Sequence, residues 1–191
     1  MQEQRFKRLL VDQAQIQHSQ HVLDFGCGTG TLTRMLKRTY PSALISGLDI
    51  DPLILAIAQQ KAASLAIRWT CASALELPFA NDSYDCVVTS LVLHHLTTSG
   101  KQQAVAEIYR ILRPVGQLHV IDFGPPHSPY SRAIAPLLRH LEEVADNLNG
   151  YLPSLFARTG FNTLNHSAPL STIFGDLYLY ALEKPARPLG R

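Results

Sequence analysis

The residues best able to do chemistry stand early in the chain. His21-Val22-Leu23-Asp24-Phe25 is a short apolar run stopped by Gly26-Cys27-Gly28-Thr29-Gly30, after which Leu32, Met35 and Leu36 recur at helical spacing. A strand, a glycine loop and a helix in that order make a cradle for a nucleotide-type ligand. Glycines let the ligand approach the backbone closely, and free amides at a helix start favour polar or anionic groups. Asp49 stands about twenty residues further on, ending the apolar run from Ala43, where an acid accepts both hydroxyls of a ribose. His94 and His95 follow another β-branched run, Tyr84 to Ser90, at the edge where ligands lie in open α/β sheets. Neutral imidazole near pH 7 suits a general base toward a phenol-like or enol-like acceptor, with His95 marginally preferred. The competing reading is that both histidines cap the strand-to-helix turn.

The glycine spacing discriminates between ligands. A dinucleotide fingerprint, GxGxxG, needs glycine at position 31, where this chain has Thr31. S-adenosylmethionine (SAM) presents an adenosine without a pyrophosphate, so Gly26-x-Gly28-x-Gly30 suits it better than NAD(P). Methyl transfer from a sulfonium is an in-line displacement that asks mainly for alignment and a dry site. Two alternatives stand beside a methyltransferase: a non-catalytic domain that binds SAM or its demethylated product, and an NAD(P)-dependent oxidoreductase.

Around these residues the pattern predicts a single α/β domain. A weak amphipathic helix covers the first 20 residues through Phe6, Leu9, Leu10 and Ile16. Asp51-Pro52 opens a helix with an acid at its cap and proline at its first position, burying Ile54, Ile57, Ala58, Ala62 and Leu65. Ile67 to Cys71, Tyr84 to Ser90 and Gln117 to Phe123 complete five strands, with a helix through Val105, Ile108, Tyr109 and Leu112 before the last. Strands separated by single helices argue for right-handed βαβ units and a parallel sheet covered on both faces. The tail, Thr172 to Glu183, sets Tyr178 and Tyr180 on one face and Leu177 and Leu179 on the other, and closes an antiparallel hairpin. Residues 125–160 read as an insertion, with one helix ending at Asn149-Gly150 and a shorter one from Leu152 to Thr159. With the N-terminal helix this forms a candidate substrate lid, whose Tyr130, Leu137, Leu141, Leu148, Tyr151 and Phe156 offer apolar and aromatic surface.

Five segments in order and register, spanning about residues 20–124, resemble one family: Val22–Gly30, Gly47–Pro52, Leu77-Pro78-Phe79, Leu91–Leu96 and Arg110–Gly116. The chain resembles the class I SAM-dependent methyltransferases, in particular the small-molecule group of ubiquinone and menaquinone biosynthesis. The resemblance implies a Rossmann-like, seven-stranded, mostly parallel sheet with a C-terminal antiparallel hairpin. It implies that Asp24, Gly26, Gly28 and Gly30 surround the methionine part of SAM, that Asp49 takes the ribose, and that Ile50 lies against the adenine. Ser73 and Ala74 fall where the family carries Gly-Asp-Ala at the adenine edge; a neutral serine there is a weaker acceptor than a carboxylate by about 1 kcal/mol. Ser90 and Leu91 line the cofactor through backbone groups. Val115 replaces the first glycine of the family's Pro-Gly-Gly turn.

Composition narrows the rest. The chain has 191 residues, 46% hydrophobic and 17% charged, with a net charge of +2, which fits one folded domain and is too mild for a nucleic-acid binder. The segment after the fourth strand, Thr89-Ser90-Leu91-Val92, lacks the Asn/Asp-Pro-Pro-Tyr pattern of base-flipping enzymes, so a small, apolar or aromatic acceptor is expected. No apolar run reaches the roughly 18 residues of a membrane span, and no secretion signal opens the chain. Cys27, Cys71 and Cys86 form no CxxC and read as small buried hydrophobes in a reducing, cytoplasmic compartment. The histidines show no HExxH, so no metal is expected.

Overall fold

In the computed structural model, which describes residues 2–138, 142–167 and 169–187, alternation along each strand divides the core in two. Strands β1 (His21–Phe25), β2 (Leu44–Asp49), β3 (Arg68–Cys71), β4 (Tyr84–Ser90) and β5 (Leu112–Phe123) are parallel neighbours in the order β3-β2-β1-β4-β5. Two antiparallel strands extend this path, β8 (Gly175–Glu183) beside β5 and β6 (Asn162–His166) beyond it. These make the seven expected strands. A further strand of three residues, β7 (Leu170–Thr172), pairs with the start of β8.

On one face, α1 (Gln2–Ala14) and α2 (Thr31–Thr39) bring Phe6, Leu10, Leu32 and Leu36 onto Val22, Val88, Ile121 and Leu179. On the other, α4 (Thr98–Ile111) and α7 (Tyr151–Thr159) bring Val105, Ile108, Leu152 and Phe156 onto Leu23, Phe25, Val87 and Tyr180. Successive residues of one strand therefore serve opposite cores. Tyr178 and Tyr180 part from Leu177 and Leu179 as the tail pattern requires.

Helix α3 (Pro52–Lys61) starts where its sequence dictates, with the Asp51 carboxylate accepting from the Leu53 and Ile54 amides and Pro52 needing no partner. Its buried stripe is Leu55, Ala58 and Ala62; Ile57 faces solvent, because the helix meets only the narrow β2–β3 edge. In α1, Val11 is buried in place of the exposed Leu9. Cys27 and Cys86 are buried, whereas Cys71, at the end of the edge strand, is exposed. Strand β5 begins at Leu112, five residues earlier than the pattern suggested, because Leu112 pairs with Tyr84 across a register shift.

The described residues of 125–160 include three helices: α5 (Pro129–Leu138), α6 (Glu142–Leu148) and α7. Helix α7 packs on α4 and buries Phe156 and Leu155, so this part of the insertion is core. Leu148 is also buried, and Tyr130 is exposed. Leu141 lies outside the described residues. The buried Lys101 ammonium joins α6 to the body, donating to the Leu96 and Glu143 carbonyls at 2.7 and 2.6 Å.

Candidate active site

Three glycines turn the chain from β1 into α2 through left-handed backbone, with φ of 69°, 53° and 72° at Gly26, Gly28 and Gly30. A Cβ on Gly26 would stand 2.4 Å from a Val92 methyl, so the loop can meet the chain leaving β4 only without a side chain. A Cβ on Gly28 would meet nothing within 4 Å, which leaves open space over that backbone. The loop is held to the end of β2 by Cys27 N–H on the Leu48 carbonyl and Gly28 N–H on Asp49 Oδ2, both at 2.8 Å.

Asp49 also accepts from the Asp51 amide through Oδ1 at 3.1 Å. One amide on each oxygen fixes the carboxylate plane and leaves acceptor capacity on both atoms. Ile50 follows, 67% exposed, as a bare apolar surface beside the acid. The end of β3 joins them through Ala72 N–H on the Asp49 carbonyl, and Ser73 Oγ accepts from the Leu75 amide, so this hydroxyl is partly engaged in its own turn. Ala74 packs against the neighbouring core.

Asp24 lies beneath the loop and is 1% exposed. Burial pushes its carboxyl up to about 6, although the Thr33 hydroxyl, donating at 2.6 Å, pulls the other way. Thr33 escaped the sequence reading because its hydroxyl sits on a helix stripe otherwise read as apolar.

At the end of β4 the backbone of Leu91 is left-handed, with φ of 58°, and its amide bonds to the Ile121 carbonyl. Beyond this bend, a single turn of 3-10 helix (Leu93–His95) brings the Leu93 amide to Asp122 Oδ2 at 2.9 Å. The other oxygen of Asp122 accepts from His94 Nδ1 at 2.9 Å, from Asn147 Nδ2 at 3.1 Å and from the Phe123 amide at 2.8 Å. Asp122 is fully buried and His94 nearly so. A carboxylate on Nδ1 holds the proton there and leaves Nε2 as the free base nitrogen. The His95 ring lies tilted against His94, with centroids 4.0 Å apart, but is exposed, with its basicity lowered by partial burial and by its neighbour. Of the two rings, His94 is the one oriented by a carboxylate. His94 spends its Nδ1 on a side-chain acid rather than on a backbone group.

Asp122 and Asn147 were not singled out from the sequence. An acid ending β5 is a visible signal, but nothing local ties it to a histidine 28 positions earlier.

The ends of β1, β2, β3, β4 and β5 thus converge on one crevice. Its features fit SAM: an acid with spare lone pairs at the second strand end, an exposed apolar side chain next to it, and open backbone at Gly28. Among the described residues, Ser90 Oγ and Thr89 Oγ1 are buried without a hydrogen-bond partner, the condition a polar ligand relieves.

A methyltransferase-domain family description matches residues 22–116. The chain belongs to the class I SAM-dependent methyltransferases and uses SAM as methyl donor. Within that class it is 34% identical over 157 residues to the demethylmenaquinone methyltransferase of Thermus thermophilus, covering 77% of this chain and 70% of that protein. It is 32% identical to a ubiquinone/menaquinone biosynthesis C-methyltransferase of Desulfotalea psychrophila over 65% of this chain, which spans only 50% of that relative. The fold is shared with a Haemonchus contortus phosphoethanolamine N-methyltransferase solved with SAM, at a TM-score of 0.77 and 15% identity, over 95% of this chain and 52% of that one.

Proposed function

We propose that this enzyme moves the methyl of SAM to a ring carbon of a small, apolar, hydroxylated aromatic acceptor of the quinol type, with His94 as general base. The observation that carries this reading is the His94–Asp122 pair, 2.9 Å apart and buried where β4 and β5 end. The C-methyltransferase and demethylmenaquinone methyltransferase names of the relatives point the same way.

SAM supplies an electrophilic methyl on a positively charged sulfur. Asp24, Gly26, Gly28 and Gly30 would surround its methionine end, Asp49 would take the ribose hydroxyls and Ile50 the adenine face, with Ser73 and Ala74 at the adenine edge and Ser90 and Leu91 along the wall. His94 Nε2 takes the acceptor's hydroxyl proton as electron density moves onto the ring carbon; the methylated carbon then loses its own hydrogen as a proton while the oxygen is reprotonated, so one proton is released per methyl transferred. Asp122 is a positioning residue, keeping Nδ1–H in place and stabilising the imidazolium that forms. Phe123, edge-on to His94 with centroids 4.9 Å apart, supplies apolar wall and excludes water. Helix α6 closes over this side as part of the lid, with Asn147 tying it to Asp122.

Among the described residues no helix is long and apolar enough to cross a membrane. We place the enzyme in the cytoplasm, with a small-molecule acceptor and no nucleic-acid partner.

The test is transfer of labelled methyl from SAM into short-chain hydroquinones, with the product analysed by mass and position. Wild type is expected to methylate ring carbon, and His94→Gln to lose about 10²–10⁴-fold in kcat while binding SAM as before. Full activity in folded His94→Gln, or transfer only to acceptors without an ionisable hydroxyl, would overturn the assignment.

A further inference from the structure

The apolar side chains at the tip of the β7–β8 hairpin are turned to solvent. Ile173 and Phe174 form this turn and are 60% and 67% exposed, and Tyr130 of α5, 54% exposed, donates its hydroxyl to the Ile173 carbonyl. The turn is braced from within, with Thr172 Oγ1 donating to the Gly175 carbonyl and accepting from the Phe174 amide. A rigid tip that displays two large apolar side chains loses burial energy unless something covers them.

Its position is defined by register. Phe123, the last residue of β5, pairs with Leu177, and Thr172 pairs with Gly175, so the turn projects past the sheet edge on which the crevice opens. Its electrostatics are one-sided. The two segments that build it, 124–138 and 167–175, contain no aspartate or glutamate apart from the buried Asp176 that follows. Exposed Arg132 stands on α5, and Arg5 lines a cleft of about 270 Å³ with Pro169–Thr172, with exposed Arg8 one turn further along α1. Glu3, the acid nearest Arg5 in sequence, is held by Lys7.

We propose that this tip is a docking surface for an anionic lipid bilayer, with Ile173, Phe174 and Tyr130 entering the headgroup region and Arg5, Arg8 and Arg132 meeting lipid phosphates. Exposed apolar and aromatic side chains with arginines on the neighbouring helices have the chemistry of reversible interfacial binding. A second copy is a poor occupant, because a symmetric contact at this tip would bring like charges together. Docking would turn the crevice mouth toward the bilayer and give an apolar acceptor a path that avoids water. The proposal does not depend on the acceptor's identity.

The experiment is co-sedimentation of the full chain with phosphatidylcholine vesicles and with vesicles that also contain phosphatidylglycerol, at low and high salt. Binding is expected only to the anionic vesicles, weakening with salt. Ile173→Asp/Phe174→Asp should lower it at least about tenfold, and Arg5→Glu/Arg132→Glu should abolish the preference for anionic lipid. Circular dichroism and SAM affinity of both variants should match wild type, which separates loss of docking from loss of fold. Absence of binding, equal binding to neutral and anionic vesicles, or wild-type binding by the tip variant would refute the proposal. So would a dimer in sedimentation velocity that the tip variant dissolves, which would assign the surface to a second copy. Lack of methyl transfer to quinols would leave the vesicle result untouched, so the two readings fail separately.

Discussion

Asp49 carries two loads at once. It locks the glycine loop to β2 through Gly28 N–H and the start of α3 through Asp51 N–H, and it retains the lone pairs a ribose needs. Asp49→Ala is therefore expected to weaken SAM binding by about 1–3 kcal/mol, the scale of lost charge-assisted hydrogen bonds. Titration calorimetry on a variant with wild-type circular dichroism measures this, and unchanged affinity would mean the ribose is gripped elsewhere. The place of Asp49 at the end of β2, beside the glycine loop, was legible because it follows from a spacing within one strand-helix-strand unit. His94 was only half legible. Its type and place after β4 marked it beside His95, but the distinction between the two rings depends on which one meets Asp122.

Among elements, the turn that opens β5 departs most from its sequence expectation. Val115 holds φ of 60° and is 59% exposed, while its amide bonds to the Lys184 carbonyl. Left-handed backbone costs an L residue about 1–2 kcal/mol, and β-branching sharpens the clash. Glycine gives back roughly 0.5–1 kcal/mol through its freer unfolded chain. Val115→Gly should stabilise the protein by about 1 kcal/mol in urea unfolding; a destabilised variant would show that the valine side chain earns more than its strain. Helix starts were readable because caps are local, as Asp51-Pro52 shows. The buried stripe of α3 was not, since Leu55 rather than Ile57 faces inward only once the helix is laid on a narrow sheet edge.

At the scale of the whole molecule, two buried groups set opposing responses to acid. Burial pushes His119 down from 6.5 to about 4, and pushes Asp24 up from 3.8 to about 6. Between pH 4 and 6.5 the unfolded chain holds a proton on His119 that the native state lacks, so this contribution to stability is lost as pH falls. Asp24 has the other sign: the native state holds its proton between pH 3.8 and 6, and that contribution is lost as pH rises. His119→Gln should remove the first effect only. Its loss of stability from pH 7 to pH 5 should be smaller than that of wild type by roughly 2 kcal/mol, measured by urea unfolding. Identical pH responses would show that the imidazole takes up its proton as readily in the fold as in the unfolded chain.

By itself the sequence determined the strand-loop-helix cradle, its acid, the alternating parallel sheet and the antiparallel tail, because each is written in neighbours a few residues apart or in the period of a single element. Only the tertiary structure decided which histidine is oriented. The Asp122 carboxylate reaches His94 through the register of β5 against β4, and Asn147 joins them from a helix two elements away. It also decided that the hairpin tip leaves Ile173 and Phe174 outside. Burial and pairing of this kind are properties of surfaces brought together from distant parts of the chain, and no local pattern records which surfaces will meet.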